Sequence, residues 1–255
     1  MIVLVCQSAL PFLHMQKSLI ALAVSLSLLS LHQAHGANPR GASAINDIPY
    51  GIEAVTQYRT EYNYRGFILA QDALDFQLGS QLAFNNTTYL NAAAWYGAEV
   101  GDGDFTEAGF LADLRKDFDL LTLSLSGTYR SYSNTFFESG TNIEAAAIYH
   151  FTREFDIAGR VAYDTGAEGW YSNLAAHYYF RLNDDSYINL NGGVSFVDKY
   201  YLRSGFNDFF AKVSYTYNIN QMVSISPYVG TSILLDNKDL GRDSLHGGIY
   251  FAVSF

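Results

Sequence analysis

The strongest constraint in this chain is an alternation of period two that recurs along most of its length. In "ALDFQLGSQLAF", Leu74, Phe76, Leu78, Leu82 and Phe84 fall on one side, and Asp75, Gln77, Gly79 and Gln81 on the other. "LLTLSLSGTY" sets Leu121, Leu123, Leu125 and Tyr129 against Thr122, Ser124, Ser126 and Thr128. "WYSNLAAHYYF", "YINLNGGVSF" and the closing "SLHGGIYFAVSF" repeat the pattern. Such a period selects strands over helices. The second face holds Gly, Ser and Asn with scattered charges. A soluble sandwich would bury its apolar face and charge the other. A lipid-facing barrel reverses this, with its apolar side outward and small or polar side chains inward.

The connections alternate as well. The turns at 85–87, 116–119, 152–156, 183–186 and 218–221 are tight and polar. The other set reads as longer: "RGFILAQDA", "VGDGDF", "NTFFESGTN", "DTGAEG", "VDKYYLRSGFND" and "LDNKDLGRD". Short turns at one end and long loops at the other predict an all-β, transmembrane, antiparallel up-and-down β-barrel. The runs place strands at 51–64, 73–84, 88–99, 105–116, 119–132, 141–152, 155–164, 169–181, 186–197, 207–218, 222–235 and 244–255. Each exceeds the roughly 9–11 residues that a tilted strand needs to cross a bilayer. Twelve strands follow, with ten as the alternative if the run at 105–116 is wrongly split from its neighbour. No segment is left over for a second domain or an internal plug, and closure pairs the last strand with the first.

Before the barrel, residues 1–36 read as a signal peptide. Met15-Gln16-Lys17 is followed by the apolar "SLIALAVSLSLLSL", with small residues near a cut after Gly36. The true start is expected at Met15. Pro11 and Lys17 argue against one membrane-anchoring helix through this region. Residues 37–50 form a short periplasmic lead, and 51–255 the barrel. Cys6, the chain's one cysteine, lies within the region expected to be removed, so the exported part needs no disulfide. A formal net charge of −10 disfavours nucleic acid as a partner.

The barrel is rich in aromatics, with 20 Tyr and 18 Phe in the chain. Tyr58, Tyr62, Tyr64, Tyr129, Tyr132, Trp170, Tyr171, Tyr200, Tyr201, Phe209 and Phe210 lie near strand ends, as interfacial girdles require. The chain ends on Phe255, in phase with Phe251 and Val253 on an alternating strand. This resembles the signal read by the bacterial outer-membrane barrel-assembly machinery. "EYNYRGFILAQDALDFQLGSQLAF" at 61–84 is similar to the opening hairpin of the TorF-like porin family, with the match carried by Tyr64, Arg65 and Gly66. Where that family often places Ser, Thr and Pro after the turn, this chain has "FILAQDALDF". The resemblance implies an outer-membrane barrel in a Gram-negative cell and says nothing of substrate.

For catalysis the barrel offers His150, His177 and His246, all on the inward phase but at different heights. His246 opens its strand and His150 nearly closes its own, so they make no common metal site. His246 with Asp164 or Asp243 is the nearest approach to a hydrolase pairing, and no dense Ser-His-Asn cluster supports it. No Gly-rich phosphate loop or Cys-His motif is present, and "DNKDLGRD" lacks the ligand spacing of a calcium loop. No catalytic residue, metal or cofactor is assigned.

The inward charges are more informative. Arg59, Glu61, Asp75, Glu107, Arg130, Glu144, Arg160, Asp164 and Lys212 are expected to line a pore, joined by Glu53, Asp113, Arg115, Asp156 and Arg181 on the same phase. A twelve-stranded lumen lies between the filled eight-stranded barrels and open porins. The expected function is a porin-like channel for passive diffusion of small solutes, with mixed charge disfavouring strong anion selectivity. Rival readings are a structural or adhesive barrel closed by its own side chains, and an outer-membrane hydrolase. The expected partners are outer-membrane lipid and lipopolysaccharide. No oligomeric state is implied.

Overall fold

A computed structural model describes residues 50–255 except Asp102 and Asn237; the expected signal peptide and most of the expected lead lie outside the described residues. The described chain forms twelve antiparallel strands closed into one barrel. They are β1 (Tyr50–Tyr64), β2 (Phe67–Asn85), β3 (Thr88–Glu99), β4 (Thr106–Phe118), β5 (Leu121–Ser133) and β6 (Gly140–His150). There follow β7 (Phe155–Asp164), β8 (Gly169–Arg181), β9 (Ser186–Tyr200), β10 (Arg203–Asn218), β11 (Val223–Leu234) and β12 (Ser244–Ser254). Twelve strands stand and the ten-strand alternative falls. Each strand pairs with its sequence neighbours, and β1 closes on β12 from Glu53↔Ser254 to Arg59↔Gly248.

The alternation explains the barrel directly. Phe76, Leu125, Leu174 and Val229 point outward and are each more than half exposed. Asp75, Ser126, Thr128, Ala175 and Ser226, on the opposite phase of the same strands, are buried. A continuous apolar belt of this kind is stable only in hydrocarbon, where it loses no hydrophobic energy, and closure leaves no lateral edge within it.

Two of the expected long loops are corrected. "RGFILAQDA" and "VDKYYLRSGFND" are strand over most of their length. Their turns shrink to Arg65-Gly66 between β1 and β2 and to Tyr201-Leu202 between β9 and β10. Both turns hold two successive residues at positive φ: Arg65 (52°) with Gly66 (79°), and Tyr201 (45°) with Leu202 (69°). That backbone matches the twist of a two-residue hairpin. The sequence hides the second turn, because Leu at positive φ gives no local signal; Arg65-Gly66 is the turn expected, with strand in place of loop after it. The other connections at this end, hereafter the loop end, are longer; the opposite, turn end carries the short polar turns.

The β1–β2 hairpin outgrows its neighbours. β12 pairs with β1 only as far as Arg59, and β3 pairs with β2 only from Ala73 onward. The ladder between β1 and β2 slips at Tyr62/Asn63, and Asp72 takes a positive φ of 48°. Bulges of this kind bend a strand pair and re-aim its side chains. Above them, the hairpin tip folds inward. The expectation of a barrel with no internal plug is therefore overturned: the plug is the first hairpin itself.

Candidate functional site: the lumen and the hairpin across it

The hairpin is held by two groups of side chains, one on β4 and β5 and the other spread over β6 to β10. On the near side, Glu107 of β4 is the junction. It accepts from Trp95 Nε1 at 2.6 Å, from Arg130 of β5, and from the Tyr62 hydroxyl on the hairpin. Arg130 lies 4.4 Å from the centre of the Tyr64 ring, and Arg59 3.8 Å from that of Tyr62. Arg59 also donates from Nε to Asp75 at 2.6 Å. Charge-assisted bonds and cation–π contacts excluded from water are the stronger members of their classes.

On the far side the tip carries Arg65, whose side chain is 6% exposed. β6 and β7 lie across the ring from β1. Arg65 reaches both, with Glu144 Oε2 at 3.8 Å and Asp164 Oδ2 at 3.6 Å. It donates to Asn142 Oδ1 and to the Tyr200 hydroxyl, each at 3.0 Å, and lies over the Tyr171 ring at 4.4 Å. The backbone of the tip is gripped as well. Arg203 Nη1 donates to the Gly66 carbonyl at 3.0 Å, and Asn207 Nδ2 to the Arg65 carbonyl at 2.9 Å. A Cβ on Gly66 would come within 2.8 Å of Asn207 Nδ2, in a backbone conformation that already favours glycine. The Tyr64-Arg65-Gly66 turn thus sits inside the barrel mouth.

Aromatic side chains complete the closure. Tyr62, Tyr64, Phe67, Phe105, Phe137, Tyr171 and Tyr200 form one buried cluster, with Tyr132 and Tyr201 packed against it. The girdle expectation is corrected for Tyr62, Tyr64, Tyr171 and Tyr200, which point into the lumen and are almost fully buried. Tyr58, Tyr129, Trp170 and Phe209 do face outward. Alternation places an aromatic on a face but cannot tell a filled interior from an interface.

Beneath this cap the wall is polar. Arg59, Glu61, Asp75, Glu107, Arg130, Glu144, Arg160 and Asp164 are buried on the inner side, and Lys212 is partly buried there, donating to the Tyr250 hydroxyl at 3.0 Å. The inward set is brought into pairs: Arg59–Asp75, Arg130–Glu107, Arg115–Asp113 and Arg160–Glu144. Arg181 is corrected: it is exposed at the turn-end rim beside Asp184. Arg65, Arg203, Asn207 and Asp208 are inward residues that the sequence reading missed. Asn207 and Asp208 are consecutive yet both buried, because the β9–β10 ladder slips between Phe206 and Phe209. Such a bulge breaks the period that would have located them.

The histidines stay apart. His150 bonds to Asp156 through Nδ1 at 2.7 Å and to Thr122 Oγ1 through Nε2 at 3.0 Å. Thr122 gives its own proton to Asp117 at 2.7 Å, so this chain of contacts does not form an activated nucleophile. His246 Nδ1 meets Ser244 Oγ at 2.9 Å near the loop end. Among the described residues no group of three or more His, Cys, Asp or Glu is placed to hold a metal ion. At the C-terminus, Phe251 and Phe255 point outward, and the Phe255 amide donates to the Ile52 carbonyl at 2.9 Å.

No protein-family model and no curated protein matches the sequence. Among solved structures the chain is similar to the KdgM porin, at 12% identity and a TM-score of 0.53, over 80% of this chain and 99% of that one. It is similar to the NanC porin in its rhombohedral crystal form, at 11% identity and 0.52, over 80% and 98%. It is also similar to the COG4313 outer membrane channel from Pseudomonas putida F1, at 9% identity and 0.55, over 80% and 95%. At such identities the likeness is one of fold: a porin-like outer-membrane β-barrel.

Proposed function

We propose that the chain is a porin-like channel of the bacterial outer membrane that passes small polar solutes at low conductance. The observation that carries this reading is the inner wall. It carries polar and charged side chains from Glu53 and Ser254 near the turn end to Asn142 and Asp208 near the loop end, a lining suited to a hydrated solute. The turn end is assigned to the periplasm and the loop end to the cell exterior, where lipopolysaccharide would meet the loops. Phe251, Val253 and Phe255 are assigned as the segment read during assembly, and the Tyr64-Arg65-Gly66 hairpin supports kinship with TorF-like porins. The mixed, paired charges favour weak ion selectivity.

One observation favours a second reading, a structural barrel with a closed lumen: the β1–β2 tip spans the mouth and is bonded to both walls. Planar-bilayer recording separates the two. The channel reading expects small single-channel steps from wild-type protein and larger steps from Arg65→Ala. Silence from both, with correctly folded protein, would leave the closed structural barrel.

A further inference from the structure

A row of inward positions crosses the barrel from end to end along its ladders. His150 of β6 pairs with Asp156 of β7, and Asp156 with His177 of β8. His177 pairs with Asn191 of β9, and Asn191 with Lys212 of β10. Lys212 pairs with Gly230 of β11, and Gly230 with His246 of β12. His150 is the last residue of β6, at the turn end, and His246 the third of β12, near the loop end. Paired positions lie one strand spacing apart, and the tilt of the strands makes such a row climb as it goes round. We propose that solutes cross the barrel along this row, and that Lys212 is the residue on it that favours anions locally. The inference deepens the channel reading and rests on it.

Packing singles out the row. On β4 and β5 the inner side chains close on one another. Those of Glu107 and Arg130 are 1% and 3% exposed, and Thr128 is almost fully buried. Along the row the side chains keep a free surface. Those of His150 and Asp156 are 15% and 22% exposed, and His177, Asn191, Lys212 and His246 are only partly buried. As these side chains point inward, that surface faces the lumen. Gly230 leaves its place to the His246 ring, since a Cβ there would come within 2.7 Å of Nε2. Asn191, Lys212 and His246 also border a chamber of about 110 Å³ beneath the hairpin tip. The bonds of the tip run to β6 through β10, so the row leaves beyond them, at β12.

The two full charges on the row differ in what holds them. Asp156 is bonded to His150 Nδ1 at 2.7 Å. Lys212 donates to the Tyr250 hydroxyl at 3.0 Å and rests over the Tyr228 ring at 4.3 Å, with no carboxylate in ion-pair contact among the described residues. An ammonium without a counter-charge in a narrow passage attracts anions at short range. Asp156 offsets it over the whole passage, in keeping with weak net selectivity.

The test is thiol labelling of the folded barrel in detergent micelles, in a background without Cys6. Asn191→Cys and Lys212→Cys lie on the row, and Thr128→Cys lies off it. Two methanethiosulfonates are used, the anionic sulfonatoethyl and the cationic trimethylammonioethyl reagent, with mass spectrometry as readout. Heat-modifiable gel mobility confirms that each variant is folded, and labelling in urea confirms that each thiol is competent. Both row cysteines should label roughly tenfold faster than Thr128→Cys, because thiol reactivity follows exposure. Labelling of Asn191→Cys should also lower its single-channel conductance. Adding Lys212→Gln to Asn191→Cys should lower the ratio of anionic to cationic labelling rate. Thr128→Cys labelling as fast as the row would overturn the route, and an unchanged ratio would overturn the role of Lys212. Wild-type channel steps with no labelling at either row cysteine would remove the route and leave the channel. Row labelling without steps from any variant would remove the channel and the route together, leaving a wet cleft.

Discussion

Arg65 sits at a hairpin tip, a place usually given over to solvent, yet its guanidinium is buried among Glu144, Asp164, Asn142 and three tyrosine rings. A cation so placed holds two walls together. Arg65→Ala should release the tip while leaving the strands intact, so single-channel conductance should rise with no change in heat-modifiable mobility. Gly66 serves the same end by backbone. Gly66→Val demands positive φ from a β-branched residue, at a cost of about 1–2 kcal/mol, and presses a side chain onto Asn207 and Asp208. It should reproduce the conductance phenotype of Arg65→Ala. Glu107→Gln acts on the opposite anchor. It removes the negative charge between Arg130 and Tyr62 and should lower unfolding stability by on the order of 3 kcal/mol, read as a lower urea midpoint. The inward charges of the strands could be read from the sequence by counting in twos. Arg65 could be read only as a turn, since nothing local shows that a turn lies inside.

At the scale of elements, β1 and β2 outlast the strands on either side of them. β2 runs for 19 residues and β6 for 11. The excess above Arg59 and below Ala73 has no place in the barrel wall and turns into the lumen, where Tyr62, Tyr64 and Phe67 find apolar company. Replacing residues 63–68 by a two-residue Asn-Gly turn should therefore keep the barrel closed and raise conductance more than any single substitution. Wild-type conductance from such a shortened barrel would mean that the constriction lies elsewhere. Strand number and the turn-end positions were legible because polar turns and clean alternation coincide there. The loop end was not, because bulges at Tyr62/Asn63 and Phe206/Phe209 shift the phase and because hydrophobic, aromatic segments there face other side chains instead of lipid.

As a whole, the molecule is an apolar belt around a polar, charge-paired interior. The pairing has a macroscopic consequence. Neutralising one member unbalances the lumen by a full charge in a narrow, weakly screened space. Arg59→Gln leaves Asp75 uncompensated and should shift reversal potentials toward cation preference under a salt gradient, whereas the wild type should stay near neutral selectivity. The belt itself was the most legible feature of the sequence, since lipid imposes one rule on every strand. What fills the inside obeys no such uniform rule, and the chain's composition does not announce it.

The seam between β1 and β12 joins the first strand of the barrel to the last, and the first hairpin is also the plug. Order of synthesis thereby becomes a feature of architecture. The residues of the plug are synthesised before those of the ring that encloses it, and β12, the strand that closes the ring, after the other eleven strands. Entry of the tip through a finished mouth is not required: the wall can be drawn around it. A circular permutant that begins at β3 and ends with β1–β2 would reverse that sequence of events. It would have to thread its plug into a nearly complete barrel, and it should mature more slowly even if it reaches the same final form.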